Sequence, residues 1–476
     1  MSKRREISPA LIAGQREIAK ELHAIHAAKT APPLAFVDTY GCQQNEADSE
    51  TIRGTLREMG YHFTQSEAEA DLIIINTCAV RESAENRIWG NVGALTHTKK
   101  AKPEQIIVLC GCMAQQESVA KKVETSFRHV DLVFGPHALW RLPELLQKLM
   151  AERGRIVVER SDPDGVIAED LPSLRTEGPA AWLSIMYGCN NFCSFCIVPH
   201  VRGRERSRTP DRILQDVRRL VADGVKDITL LGQNVNSYGH DLVGTDGTPP
   251  VDFAWLLEQI NAIEGDFLIR FMTSHPKDAG ERLFSTMAKC EKVAKHIHLP
   301  VQAGNSRVLA EMNRGYTKEQ YLALIKTARR HMPDIVLTSD IIVGFPGETE
   351  TEFEDTLDVL AQVQFDALFT FIFSPRSGTP AADMSDPVTR AEKQIWFDRM
   401  VALQNGISAE RHRAYIGTRQ RVLIDSKTDD ARYPLKGRTE GGRLVRLPGD
   451  ESLIGEFADV EIVDASTWSL TGQLPA

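Results

Sequence analysis

Three of the eight cysteines in this chain, Cys189, Cys193 and Cys196, fall within eight residues and are spaced C-x-x-x-C-x-x-C. Thiolates bind iron and zinc strongly, and a short loop with this spacing can fold around a metal centre. Three thiolates can hold three irons of a four-iron, four-sulfur cluster and leave the fourth open. An open position is what a reactive centre needs, as open zinc sites are catalytic and closed ones structural. Zinc is the rival ligand, with His200 near enough to serve as a fourth donor, although C-x-x-x-C-x-x-C-x-x-x-H is not a common zinc pattern. Two packing cysteines with a chance third is the plainest alternative, and the cysteine-poor background weighs against it.

A second set is dispersed. Cys42, Cys78 and Cys112 lie 36 and 34 residues apart, each just past the end of a short apolar run. If those runs are parallel strands of one sheet, their carboxyl ends share an edge where ligands bind, and the three thiols converge there. Gly41 and Gly111 flank two of them and allow close backbone approach. One such cysteine alone would read as core; three in equivalent places read as a second site. Cys110 lies inside its apolar run and Cys290 at the end of an amphipathic helix, so both are assigned to packing.

The elements that must position these residues follow from periodicity. Leu34–Val37, Leu72–Ile75, Ile106–Leu109 and Leu132–Phe134 alternate with helical stretches near 48–59, 80–97, 114–125 and 138–150, and Ile156–Val158 offers a further strand. Continuous apolar runs joined by helices indicate buried parallel strands, hence a doubly wound α/β domain over 34–150. Residues 1–33 precede it as an arm, with 9–28 read as an amphipathic helix or a loose segment, and 151–179 read as a linker. A second αβ alternation runs over 180–416, with strands near 182–186, 227–231, 267–272, 296–299, 335–343 and 367–373, and it predicts a partial (β/α)6 barrel. A long helix near 388–415 closes it. Beyond Gly417 the short runs 421–424, 444–446 and 457–463 predict a small all-β barrel over 417–476. Cys189 then stands at the carboxyl end of the first strand of the (β/α)6 barrel, where barrel active sites lie.

The chain has 476 residues, and its 56 Lys and Arg against 65 Asp and Glu give a net charge of −9. That size buries a core without staples, and eight cysteines are too few for a secreted disulfide scaffold. The negative balance argues against indiscriminate coating of nucleic acid, which rests on phosphate neutralisation. Lys3-Arg4-Arg5 is followed by a short apolar stretch that fails as an export signal or membrane span. The expected location is the cytoplasm, with no membrane association and a monomer as the default.

Cys189-Asn190-Asn191-Phe192-Cys193-Ser194-Phe195-Cys196 resembles the signature of radical S-adenosylmethionine enzymes. With Thr39-Tyr40-Gly41-Cys42-Gln43-Gln44-Asn45-Glu46, Asn76-Thr77-Cys78 and Gly111-Cys112-Met113-Ala114-Gln115, the chain resembles the methylthiotransferases among them, from about residue 34 to about 472. Gly232-Gln233-Asn234-Val235-Asn236-Ser237-Tyr238-Gly239, Val201–Arg208 and Gly437-Arg438-Thr439-Glu440 resemble the members acting on N6-dimethylallyladenosine of tRNA, beside the anticodon. Gln44 stands where many relatives carry Met, and Gly441-Gly442-Arg443 where many carry Asn-Asn-Arg.

The resemblance implies three domains: one holding an auxiliary cluster, a radical domain, and a terminal TRAM barrel. It implies two four-iron, four-sulfur clusters, on Cys189, Cys193 and Cys196 and on Cys42, Cys78 and Cys112, together with S-adenosylmethionine. Adenine C2–H is neither acidic nor a good electrophile, so acid–base groups cannot exchange it for sulfur. As the resemblance implies, reductive cleavage of S-adenosylmethionine gives a 5′-deoxyadenosyl radical that abstracts hydrogen, and the auxiliary cluster delivers methylated sulfur. An electron donor such as flavodoxin or ferredoxin and a donor of sulfur or cluster are implied partners. Gly232, Gln233, Asn234, Gln302, Asp340 and Gly344 are candidate S-adenosylmethionine contacts; for Gly344 the plainer reading is a turn before a helix. Arg202, Arg204, Arg206 and Arg208, alternating after the cysteine loop, are candidate phosphate contacts, as are Lys436 and Arg438. Residues 419–446 carry eight Lys and Arg against four Asp and Glu, whereas 447–476 carry none against six, so the barrel is expected to have one basic side. Two rivals remain at this stage: a methylthiotransferase of a ribosomal-protein aspartate, and a zinc-bound RNA-binding module without catalysis.

Overall fold

The computed structural model of the chain describes residues 5–79, 82–152, 156–159, 165–175, 178–242 and 251–475. Parts of the expected linker, 153–155, 160–164 and 176–177, lie outside the described residues. The chain divides into two compact units: Met1–Thr176 with Met186–Asn190 and Cys196–Arg208, and Glu177–Ile185 with Asn191–Phe195 and Thr209–Ala476.

In the first unit the apolar runs form a six-stranded parallel sheet. Its strands are β1 (Leu34–Thr39), β2 (His62–Phe63), β3 (Leu72–Thr77), β4 (Ile106–Gly111), β5 (Leu132–Phe134) and β6 (Ile156–Glu159), in the order β2-β1-β3-β4-β5-β6. The runs are continuous because both faces are covered. Leu72, Ile74, Val108 and Cys110 point into one core cluster, while Ile73, Ile75, Ile107 and Leu109 point into the other, as the two-residue period of a strand requires. Cys110 is thus a core residue.

The N-terminal segment is a packed helix, Pro9–Ala27, capped by the Ser8 side chain, with Ala19 and Leu22 in the first core cluster. The linker's described residues are also tied in: Ile7 N donates to Ile167 O and Leu174 N to Glu50 O, at 2.8 and 2.9 Å. Strand order reverses between β1 and β3, which makes their carboxyl ends the switch point where an open α/β sheet binds ligand.

In the second unit six parallel strands follow one another. Ala180–Ser184, Asp227–Leu231 and Leu268–Phe271 form one sheet; His296–His298, Val336–Val343 and Ala367–Ile372 form another; a bridge between Ile269 and Val293 lies at their junction. This is the expected βα repeat. Its helices start on well-formed caps, with reciprocal capping boxes at Thr317/Gln320, Thr349/Glu352 and Thr389/Glu392. The long helix spans Arg390–Arg413.

The same unit ends in a closed five-stranded barrel: Arg419–Lys427, Leu435–Thr439, Leu444–Leu447, Phe457–Ala465 and Leu470–Gln473. Two of these strands were not legible as apolar runs. In Leu435–Thr439 the inward positions are Leu, Gly and Thr, and a Cβ on Gly437 would stand 2.3 Å from Leu423 O. A small residue is required there, so the strand loses its apolar signature.

Candidate functional site

Cys42, Cys78 and Cys112 come to one edge of the first unit because β1, β3 and β4 end there. Cys42 is the N-cap residue of the helix Gln43–Glu58. Cys78 directly follows β3 and Cys112 directly follows β4. Asn45, wholly buried, clamps the loops: its Nδ2 donates to Tyr40 O and Thr77 O at 2.8 and 2.9 Å. Its Oδ1 stands 3.9 Å from Cys42 Sγ and 3.8 Å from Cys112 Sγ, which places both sulfurs around one atom. Asn76 Nδ2 holds the clamp in turn through Asn45 O, at 2.8 Å. Gly41 (φ +122°) has no room for a side chain, since a Cβ would stand 2.8 Å from Cys78 Sγ; at Gly111 (φ +92°) it would stand 2.5 Å from Thr77 O.

Among the described residues no three His, Cys, Asp or Glu side chains are gathered tightly enough for a single metal ion. The donor set of three thiols from three braced loops fits a multi-iron cluster, which takes its thiolates on separate irons. Burial pushes the Cys112 thiol up to about 12, against the pull of the Arg202 guanidinium. A cysteine so placed becomes a thiolate when a metal takes its proton's place.

Arg202 is the sharpest departure from expectation. It is buried, its Nε donates to Cys112 Sγ at 3.0 Å, and its Nη2 donates to Asn45 Oδ1 at 2.9 Å and Asp48 Oδ2 at 2.6 Å. Arg208 is also buried and grips both oxygens of Glu169 at 2.6–3.0 Å. Arg206 turns inward to the carbonyls of Arg202 and Arg204. Arg202 and Arg208 are therefore corrected from phosphate contacts to internal ion pairs. The alternation of arginines was visible, but the carboxylates awaiting them, Asp48 and Glu169, come from distant segments. Arg204 is the one of the four that is exposed.

In the loop of three cysteines, Cys189 N donates to Gly203 O at 3.1 Å within the first unit. Cys193 belongs to the second unit, where Arg314 Nη1 donates to its Sγ at 3.2 Å. Arg314 is buried, with Nε on Tyr316 Oη at 3.0 Å and Nη2 on Pro300 O at 2.9 Å. The second unit also holds Ser194, through Ser194 Oγ to Glu311 O at 2.7 Å.

Around the carboxyl ends of the second unit's strands, the expected cofactor contacts separate into two kinds. Asn234 is spent on structure: Nδ2 donates to Asp278 Oδ2 at 2.7 Å and Oδ1 accepts from His275 N at 3.1 Å. Gly344 (φ +70°) is a turn residue whose N–H is held by Glu348 Oε2 at 2.6 Å, with Phe345 N on the same oxygen. The Asn234 side chain and the Gly344 N–H are thus corrected from cofactor contacts to braces, because both are already committed. Gln302 is buried with φ +74°, a strained conformation for a side-chain-bearing residue. Asp340 lies half-buried with Oδ1 3.5 Å from His298 Nε2. Gly232 O accepts from Thr273 Oγ1, and Gln233 directly follows in the same loop.

That loop and Thr273–Pro276 are tied by Val235 N to Thr273 O at 3.1 Å. Buried in these two loops are polar atoms with no partner among the described residues: Asn236 Oδ1 and Nδ2, Ser274 Oγ and His275 Nε2. Burial, with the Arg314 and Lys277 charges nearby, pushes the His275 imidazole down to about 2, so it is neutral. Buried polar groups without partners are rare and call for a ligand or water. Sequence reasoning missed Asn236, Ser274 and His275; Thr-Ser-His-Pro at a strand end was the available signal.

In the terminal barrel Lys436 is half-buried and Arg438 exposed. Lys436 and Arg446 are directly opposed across the Leu435–Thr439/Leu444–Leu447 ladder.

Comparison with known proteins covers the whole chain. Residues 183–360 match the Radical SAM superfamily, 35–135 match a family described as uncharacterized protein family UPF0004, and 413–474 match the TRAM domain. A tRNA-2-methylthio-N(6)-dimethylallyladenosine synthase of Alkaliphilus oremlandii is 48% identical over 100% of this chain and 99% of its own length. The protein of the same name from Acetivibrio thermocellus is 48% identical over 98% and 97%. Among solved structures, the radical S-adenosylmethionine methyltransferase TsrM of Kitasatospora setae matches 74% of this chain and 77% of its own, with TM-score 0.55 and 15% identity, a likeness of fold.

Proposed function

The chain belongs to the tRNA-2-methylthio-N6-dimethylallyladenosine synthases, radical S-adenosylmethionine enzymes, and from that premise we propose how its residues divide the work. It is a tRNA methylthiotransferase whose cofactors are two four-iron, four-sulfur clusters and S-adenosylmethionine. When bound, these supply the reductive cleavage, the hydrogen abstraction and the sulfur.

Cys42, Cys78 and Cys112 hold the auxiliary cluster, and Cys189, Cys193 and Cys196 the cluster that faces S-adenosylmethionine. The observation that carries the first assignment is the Asn45 clamp, which draws the Cys42 and Cys112 sulfurs around one side-chain oxygen. Asn236, Ser274 and His275, with Gln233, Gln302 and Asp340, bind S-adenosylmethionine or the target base, all but Asp340 through neutral donors and acceptors. The depressed basicity of His275 keeps it from competing for a proton. Gly232 shapes the loop that presents them.

Arg204, Lys436 and Arg438 contact the tRNA backbone. Like charges facing each other across a ladder cost stability, and phosphate between Lys436 and Arg446 offsets that cost. Flavodoxin or ferredoxin as reductant, a separate donor of sulfur or cluster, a monomeric state and a cytoplasmic location complete the reading. Among the described residues no helix is long and apolar enough to cross a membrane.

The test is anaerobic reconstitution with tRNA carrying N6-dimethylallyladenosine, followed by mass spectrometry of its nucleosides. The 2-methylthio derivative is expected, with about eight irons and eight sulfides per chain. A colourless zinc protein, or product only on a ribosomal-protein aspartate, would overturn the reading. Charge removal at Lys436, Arg438 and Arg446 should weaken tRNA binding and lower its salt slope by about one for each phosphate no longer neutralised. These substitutions are cleaner than truncating the barrel, because Arg443 of the barrel is buried against Asp366.

A further inference from the structure

We propose that Arg202 is a positioning residue for the auxiliary cluster: through its Nε–H it holds Cys112 as a thiolate ligand and raises the reduction potential of the cluster that Cys112 binds. This rests on the assignment of Cys112 as a ligand. The geometry supports it in three ways. First, the guanidinium is buried and one edge of it is specified: Nη2 is fixed by Asn45 Oδ1 at 2.9 Å and Asp48 Oδ2 at 2.6 Å, which leaves Nε aimed at Cys112 Sγ at 3.0 Å. A planar guanidinium anchored along one edge cannot drift from the sulfur, whereas a lysine ammonium could.

Second, Asn45 serves both purposes. The oxygen that receives Arg202 is the one that stands 3.9 and 3.8 Å from the Cys42 and Cys112 sulfurs. Third, Arg202 is delivered by the segment that begins at Cys196, and Ile197 and Val201 of that segment pack with Ala79 and Cys112 in one apolar cluster. A ligand of one cluster and the hydrogen-bond donor to a ligand of the other are thus six residues apart on one packed stretch. Asp48 neutralises the guanidinium, so the sulfur receives a directed hydrogen bond with little added net charge. Hydrogen bonds to ligand sulfurs withdraw electron density and raise cluster potentials.

The experiment is a redox titration followed by electron paramagnetic resonance. It uses the full chain with Cys189, Cys193 and Cys196 changed to Ala, so that only the auxiliary cluster reports. Arg202→Gln should shift the midpoint to lower potential while iron stays at about four per chain. Arg202→Lys, which keeps the charge beside Asp48 but gives up the fixed fork, should shift it the same way by less. An unchanged midpoint and spectrum in both variants overturns the proposal. If Arg202→Gln does not load, Arg202→Lys decides alone: a lowered midpoint supports the role and an unchanged one overturns it. Cys112→Ala in the same background separates the two claims. Retention of all auxiliary iron there defeats the ligand assignment itself, while its loss with an unchanged midpoint in Arg202→Lys defeats only the role of Arg202.

Discussion

Each compact unit sets a buried arginine against a cysteine sulfur, and the two arrangements differ in charge. Arg202 on Cys112 carries its own counter-ion, Asp48, and shares it with an amide. Arg314 on Cys193 meets neutral oxygens, those of Tyr316 and Pro300. A buried cation paired with a carboxylate delivers a hydrogen bond with little net field. One held by a phenol and a carbonyl leaves its charge for the sulfur and whatever binds there. The contrast teaches that one region is built to fix a cysteine sulfur in place and the other to favour added negative charge.

The largest effect that could break this contrast comes from the cysteines themselves. Cys193→Ala, or either neighbour Cys189→Ala or Cys196→Ala, should abolish formation of 5′-deoxyadenosine, read by chromatography. Cys42→Ala, Cys78→Ala and Cys112→Ala should leave some of it. Gly41→Ala comes next. Its Cβ would stand 2.5 Å from Cys78 Cβ on a backbone at φ +122°, so iron analysis should show loss of about half of the eight irons. A fully loaded variant would show that the first unit is looser than described.

The arginines sharpen the contrast energetically. Arg202→Ala strands Asp48, a carboxylate only 12% exposed, and should destabilise the first unit by about 3–5 kcal/mol in denaturant titration. Arg314→Gln strands no charge and should cost about 1–3 kcal/mol. Equal losses would erase the distinction.

The smallest effect concerns the turn at Gly344. Burial pushes the Glu348 carboxyl from 4.5 up to about 7, against two backbone N–H donors that stabilise its charge. The folded state therefore binds its proton more tightly than the unfolded chain. Stability from this group is present below about pH 4.5 and is lost as pH rises through about 7. Glu348→Gln should flatten that decline, measured by denaturation midpoints between about pH 5 and 8. An unaltered decline would remove Glu348 from the account.

Much of this was legible in sequence because its signals are local. Leu72–Ile75 is apolar on both faces, so its strand and the position of Cys78 at its end could be read directly. The expected arm proved to be a packed helix for an equally local reason, the Ser8-Pro9 start and the apolar face through Ala19 and Leu22. What could not be read was pairing across distance. Arg202 and Arg208 look like solvated phosphate contacts until Asp48 and Glu169, some 154 and 39 residues away, are brought beside them. Asn234 and Gly344 look like ligand contacts until Asp278 and Glu348 occupy their donors. For Asn236, Ser274 and His275 the Thr-Ser-His-Pro run at a strand end was the only one-dimensional signal, since burial without a partner is a property of the fold.

The most direct test of the division of labour between the two cysteine sets is a single reaction with Cys78→Ala, reconstituted anaerobically with reductant, S-adenosylmethionine and tRNA bearing N6-dimethylallyladenosine. Mass spectrometry should find 5′-deoxyadenosine and no 2-methylthio nucleoside. Appearance of the methylthiolated nucleoside would contradict the assignment of Cys78, and with it the second cluster site at the carboxyl edge of the sheet.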